Sequence, residues 1–163
     1  MTADGGIRIT PAASADDLAD VATLFRAYAD SLDVDLCFQG FEAELAGLPG
    51  KYAPSEGGAL LVARRVDSEA IGCVALRRID RAVGEMKRLY VSPEGRGSGL
   101  GRRLADAICD EARRLGYAEI RLDSLPSMTT AIAMYRTMGF QAIAPYYDTP
   151  VAGTAFLGLR LDR

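Results

Sequence analysis

Six residues, Arg96-Gly97-Ser98-Gly99-Leu100-Gly101, carry the clearest chemical signal in the chain. They follow a strand-like segment that turns at Ser92-Pro93, and they open a helical pattern. A glycine-rich turn at a helix start presents unpaired backbone N–H groups at the positive end of the helix dipole, so it suits an anion such as a phosphate. A second signal is an absence. The chain has no histidine, which removes Ser-His-Asp and Cys-His hydrolase chemistry and the commonest zinc sites. Proton transfer must then fall to Glu, Asp, Tyr, Cys, Lys or water.

The elements that would position this turn can be read from periodicity. Ile7–Thr10 alternates as a short strand ended by Pro11. Ser14 caps a helix carrying Asp16 and Asp17 in its first turn, with Leu18, Val21, Ala22, Phe25 and Tyr28 on one face. The acidic and apolar stretch Leu32–Gln39 reads as a loop over a cleft, and Phe41–Leu48 as a short helix ended by Pro49-Gly50. Gly57–Arg65 and Glu69–Ile79 form a hairpin around Val66-Asp67-Ser68. Val83–Val91 is the next strand, antiparallel to the one before. Strict alternation would put Glu85, Lys87, Leu89 and Val91 on one face, mixing charged with buried positions, so a bulge is expected within it. Gly99–Gly116 is the strongest helix, with the stripe Leu100, Leu104, Ile108, Ala112 and Leu115. Ala118–Asp123 is a strand, Pro126-Ser127 starts a helix that Gly139-Phe140 ends, and strands near 140–143 and 155–161 flank the loop Tyr146–Pro150. The arginine pairs Arg64-Arg65 and Arg77-Arg78 are expected to alternate into solvent. The expected fold is a single α/β (α+β) domain over residues 1–163, with one mixed, mostly antiparallel sheet flanked by helices.

Two nucleotide motifs fail on spacing. A dinucleotide fingerprint starting at Gly97 would place Arg102 where its last small residue belongs, and no Gly-Lys-Ser/Thr triplet exists for an NTPase phosphate loop. The form that fits is R/Q-x-x-G-x-G/A between a strand and an amphipathic helix. With the downstream block Ala131-Ile-Ala-Met-Tyr-Arg-Thr-Met-Gly-Phe140, which looks like an A-x-x-x-Y-x-x-x-G-F helix, the sequence resembles the GNAT superfamily of acyl-CoA-dependent N-acyltransferases. The resemblance covers roughly the C-terminal two thirds of the chain.

The resemblance implies acetyl-CoA as co-substrate and an N-acetyltransferase that moves the acetyl group directly to an amine of a small molecule or peptide. It implies that the backbone of Leu89, Tyr90 and Val91 pairs with pantetheine. It also implies that Arg96, Gly97, Ser98, Gly99, Leu100, Gly101 and Arg102 hold the pyrophosphate. Tyr135 matches the family's tyrosine that protonates the leaving sulfur, and a phenol with an ordinary pKa of about 10 is protonated at neutral pH. Glu85 matches a strand position where many members carry the base. Met128 stands where the family often has an asparagine touching the cofactor arm. Asp33 and Asp35 are candidates for selecting a cationic amine, and Tyr146 and Tyr147 for another wall of the acceptor pocket.

Composition agrees with such a protein. At 163 residues, 49% hydrophobic and 25% charged, the chain suits one globular domain. Its net charge of −3, from 19 basic and 22 acidic residues, supplies no basic field for nucleic acid or an anionic membrane. The apolar runs are strand-sized and no signal peptide is evident. The isolated cysteines Cys37, Cys73 and Cys109 fit a reducing cytoplasm and make no metal site. Other readings are a transferase for a longer acyl-CoA and a non-catalytic acyl-CoA-binding sensor; a pure binder needs neither Tyr135 nor Glu85. Monomer and homodimer are both compatible with the sequence.

Overall fold

The computed structural model describes residues 6–32, 35–36, 40–66 and 69–161. Seven strands form one sheet in the order β1-β2-β3-β4-β5-β7-β6. They are β1 (Arg8–Pro11), β2 (Ala59–Arg64), β3 (Ala70–Arg78), β4 (Val83–Val91), β5 (Glu119–Ser124), β6 (Gln141–Ala142) and β7 (Ala155–Arg160). Every pairing is antiparallel except β4 with β5. Helices α1 (Ala15–Ser31) and α2 (Phe41–Ala46) precede the hairpin; α3 (Leu100–Arg114) and α4 (Thr129–Thr137) flank β5 in sequence. The mixed, mostly antiparallel sheet with helices on both faces is the one the sequence implies.

Local chemistry explains the element ends. Ser14 Oγ accepts from the Asp17 amide while Asp17 accepts from the Ser14 amide, a reciprocal cap that fixes the start of α1. Arg64 reaches from β2 to Asp17 at 2.7 Å and Asp20 at 2.9 Å, so it ties α1 to the sheet rather than pointing into solvent. Helix α4 begins at Thr129, two to three residues later than expected. Its start at Met128 has no side-chain cap, so Pro126-Ser127 forms a turn ahead of the helix instead.

The two faces of the sheet bury separate clusters. Leu61, Val74, Leu76, Met86, Ile120, Leu122 and Leu157 pack with the α3 stripe, Tyr135 and Phe140. Leu60, Val62, Cys73 and Ala75 pack on the other face with Val21, Leu24 and Phe25 of α1 and with Phe41 and Tyr52. Burial on this scale is the main stabilising term.

Strand β4 belongs to both faces because it contains the bulge. Its register against β3 runs Glu85 to Arg77 and Lys87 to Ala75, then resumes with Tyr90 opposite Cys73. One extra residue is inserted, and Arg88 takes the left-handed φ of +60° that a bulge permits. The insertion flips the alternation. Glu85 and Lys87 lie on the α1 face before it. After it Tyr90 takes that face, edge-on to Tyr28 at 6.2 Å, while Leu89 and Val91 turn to the α3 face.

Candidate active site

Strands β4 and β5 are paired only from Val83 to Glu85, opposite Glu119 to Arg121. Beyond Glu85 they separate, and the rest of β4 is left with an edge that β5 does not cover. A strand edge facing a gap is a row of unsatisfied donors and acceptors, ready to pair with an extended amide-bearing ligand. A groove of about 420 Å³ runs along this edge, lined by Leu89, Tyr90, Val91, Arg96, Gly101 and the segment Ser127–Ala131 together with Tyr28, Ser31 and Met134.

The glycine-rich turn closes one end of the groove. Gly97 and Gly99 have φ of +83° and +74°, and a Cβ at either would meet no atom within 4 Å. Conformation therefore requires glycine here, and the space beside both is open to a ligand. Gly99 is the residue before α3, so the first amides of the helix, including those of Leu100 and Gly101, carry no side-chain cap. The Leu100 side chain is buried in the core, which anchors the helix start. Ser98 Oγ donates to the Gly95 carbonyl at 2.6 Å and Arg96 Nε to the Val91 carbonyl at 3.2 Å, so both side chains shape the turn. Arg102 reaches Asp106 and Thr137, bridging α3 to α4 at the surface.

A narrow cleft continues from the groove through the split in the sheet. Tyr135 enters it from the α4 side, and Asp123 and Lys87 enter from the α1 side, with Tyr28, Leu36, Leu125 and Met128 as walls. Tyr135 packs its ring against Phe140 at 5.6 Å, and its hydroxyl forms no hydrogen bond among the described residues. Burial pushes the phenol well above its ordinary pKa, with Tyr28, Cys109 and the Asp123 charge adding to the rise, so it is protonated across the physiological range.

Glu85 lies at the closed end of the split and is only 1% exposed. Its Oε1 accepts from Arg77 Nε at 2.6 Å and its Oε2 accepts from the Tyr146 hydroxyl at 2.6 Å. Arg77 thus points inward, because a buried carboxylate needs a charged partner. Glu85 itself does not line the cleft. Next to it, the Tyr147 hydroxyl donates to Asp123 Oδ2, leaving Oδ1 of Asp123 without a hydrogen bond among the described residues. Tyr146 and Tyr147 both pack edge-on against Phe156, which fixes the two hydroxyls over the two carboxylates. Burial and these carboxylates push both phenols up.

Of the residues singled out from sequence, Tyr135, Glu85, Tyr146 and Tyr147 converge at the split. Leu89, Tyr90, Val91, Arg96 and Gly101 line the groove, while Gly97, Ser98, Gly99, Leu100 and Arg102 belong to the turn and helix start at its end without lining it. Asp35 is exposed and does not line the cleft; Asp33 lies outside the described residues. Asp123, Lys87 and Tyr28 were missed. Their alternation marks Asp123 and Lys87 as opposite to Leu122 and Met86, but only the split in the sheet makes that face a cleft.

This geometry can be set beside known proteins. The model of the acetyltransferase (GNAT) family matches residues 24–140. The chain belongs to that family. An uncharacterised N-acetyltransferase of Schizosaccharomyces pombe is 35% identical over the full length of both chains. The crystal structure of an acetyltransferase from Streptococcus agalactiae superposes with a TM-score of 0.79 over 96% of this chain and 99% of that one, at 22% identity. A GNAT superfamily phosphinothricin acetyltransferase from Sinorhizobium meliloti, solved in complex with acetyl-CoA, has a TM-score of 0.72 at 21% identity, over 96% and 89%. The chain is thus a GNAT N-acetyltransferase. Among its described residues, no helix is long and apolar enough to cross a membrane.

Proposed function

We propose that this GNAT protein transfers the acetyl group of acetyl-CoA directly to a primary amine held in the cleft between β4 and β5. The observation that carries the reading is the split itself, with the Tyr135 hydroxyl on one side and the Asp123 carboxylate on the other, each with hydrogen-bonding capacity left over. The groove fits the co-substrate: the uncovered edge at Leu89–Val91 suits the pantetheine amides, and the open backbone from Gly97 to Gly101 suits a pyrophosphate. Arg96 lines it, and Arg102 follows on the first turn of α3, held by Asp106 and Thr137.

The transfer forms a C–N bond to the acetyl carbon and breaks its C–S bond. The amine proton passes to Asp123 Oδ1, directly or through water, and Tyr135 gives its proton to the departing sulfur. No enzyme-bound acyl group is needed, so the lack of histidine is no obstacle. Glu85 is the candidate base that the family resemblance implies, but both its oxygens are taken by Arg77 and Tyr146. We therefore assign base duty to Asp123 and give Glu85 the task of holding Tyr146 and the closed end of the split. The acceptor is an amine-bearing small molecule or peptide.

Thiol release from acetyl-CoA across an amine panel tests the activity, and two variants test the assignment. Asp123→Asn is expected to lower kcat by about 10²–10⁴, the usual contribution of a positioned base, with a smaller loss for Glu85→Gln. A larger loss in Glu85→Gln than in Asp123→Asn would return the base to Glu85. Absence of thiol release with every amine would sink the transferase reading.

A further inference from the structure

The cations around the split are unequally satisfied. Arg77 is bonded to Glu85 at 2.6 Å, Arg88 to Glu44 at 2.9 Å and Arg121 to Glu119 at 3.0 Å. Lys87 is different. Its side chain is only 11% exposed, yet among the described residues its ammonium makes no hydrogen bond, and the nearest carboxylate oxygen, Glu85 Oε1, is 4.0 Å away. That oxygen is already held by Arg77. A buried ammonium has three donors to satisfy and is costly to leave without acceptors. Lys87 lines the cleft, so its unmet donors face the space the acceptor enters.

We infer that Lys87 binds an anionic oxygen of the acceptor, and that the acceptor is an amino acid or short amino-carboxylic acid carrying its carboxylate close to the reacting amine. This rests on the transferase reading above. Charge balance supports it. Glu44, Glu85, Glu119 and Asp123 match Arg77, Lys87, Arg88 and Arg121 one for one around the split, so a zwitterion enters without adding net charge to a buried region. Asp123 on β5 takes the amine and Lys87 on β4 takes the carboxylate across the same gap, while Tyr28, Leu36 and Leu125 offer an apolar wall to a side chain. One ammonium suits a singly charged carboxylate; a phosphate would call for further free cations, and the guanidiniums nearby are occupied. Burial holds the Lys87 pKa below its ordinary value, against the pull of Glu85 and Asp123, so a carboxylate arriving beside it favours the charged form.

The test uses the full chain with acetyl-CoA and paired acceptors, each amino acid beside its carboxamide, with kcat and KM measured by thiol release. Wild type is expected to prefer the carboxylate member by about 10- to 100-fold, mainly through KM, the range for a charged hydrogen bond. Lys87→Gln should bring that ratio close to one, and Lys87→Arg should retain most of it, separating lost charge from misfolding. Equal use of both members by wild type, or an unchanged ratio in a folded Lys87→Gln, overturns the inference and leaves the transferase reading standing. Absence of thiol release with every pair overturns both.

Discussion

Replacing Glu44 by Gln should be a strongly destabilising change, because Glu44 is one half of a buried ion pair. Glu44 lies on α2 and grips Arg88 at the β4 bulge with two bonds of 2.9 Å, the side chains being 5% and 3% exposed. Arg88 also lies over the Phe41 ring at 5.3 Å. Gln keeps the volume of Glu but removes the charge, so the buried guanidinium loses the Glu44 carboxylate that holds it with two bonds. Losing one partner of a buried pair costs about 3–5 kcal/mol, a large part of the roughly 5–15 kcal/mol by which a domain is stable. At about 2–4 °C per kcal/mol for a domain near this size, Tm should fall by roughly 6–20 °C. Thermal unfolding followed by circular dichroism measures the Tm shift and urea unfolding the free-energy loss, with Glu42→Gln as control. Glu42 pairs with Arg26 at 3.5 Å with both side chains more than half exposed, where about 0–1 kcal/mol is expected. The pH dependence gives a second reading. Burial pulls the Glu44 pKa up, but the Arg88 bonds and charge outweigh it and hold the carboxyl below its ordinary value. A depressed carboxyl adds stability that is complete above the unfolded pKa, about 4.3, and is lost as pH falls through the folded one. Glu44→Gln should therefore flatten the acid side of the stability curve. A loss under about 1 kcal/mol with an unchanged acid slope would refute this account of the bulge.

Two further changes probe the groove and the cleft. Gly99→Val places a β-branched residue at φ +74°; it should cost about 1–3 kcal/mol of stability and weaken acetyl-CoA binding in calorimetry by tenfold or more. Since no protein atom lies within 4 Å of an added Cβ, unchanged affinity would remove the pyrophosphate from this turn. Tyr135→Phe should lower kcat by about 10²–10⁴ with little change in acetyl-CoA affinity, and an equal kcat would reduce Tyr135 to a core residue packed on Phe140.

The periodic parts of the fold were legible because period is a local property. The α3 stripe from Leu100 to Ala112 is buried as a set, and the hairpin of β2 and β3 follows its turn signal. The glycines of the turn were legible for the same reason, since positive φ is a demand made by the backbone itself. What escaped was set by distance along the chain. Arg88 and Glu44 are 44 residues apart, Tyr146 and Glu85 are 61 apart, and no pattern in either segment announces the partner. Arg77 looked like one of a solvated pair until Glu85 was seen to be buried beside it. Asp123 reads as the polar half of an alternating strand. It lines a cleft only because β4 leaves β5 two residues earlier.

The untidy phase of β4 was the one irregularity that pointed beyond local structure, and it accounts for more than a kink. Without the insertion at Arg88, residues 85, 87, 89 and 91 would share a face, and either Glu85 and Lys87 or Leu89 and Val91 would be on the wrong side of the sheet. With it, the strand presents charged groups to the acceptor side and apolar groups to α3. The inserted residue itself cannot be a bystander, because a non-glycine at φ +60° is costly unless its surroundings hold it. The Glu44 pair supplies that hold and at the same time fastens α2 to the strand whose free edge lines the groove. The bulge thus couples the cleft between β4 and β5 to the groove beside it, proposed above to hold acceptor and acetyl-CoA, through one guanidinium. For that reason a substitution at Glu44, which touches neither ligand, should raise the KM for both.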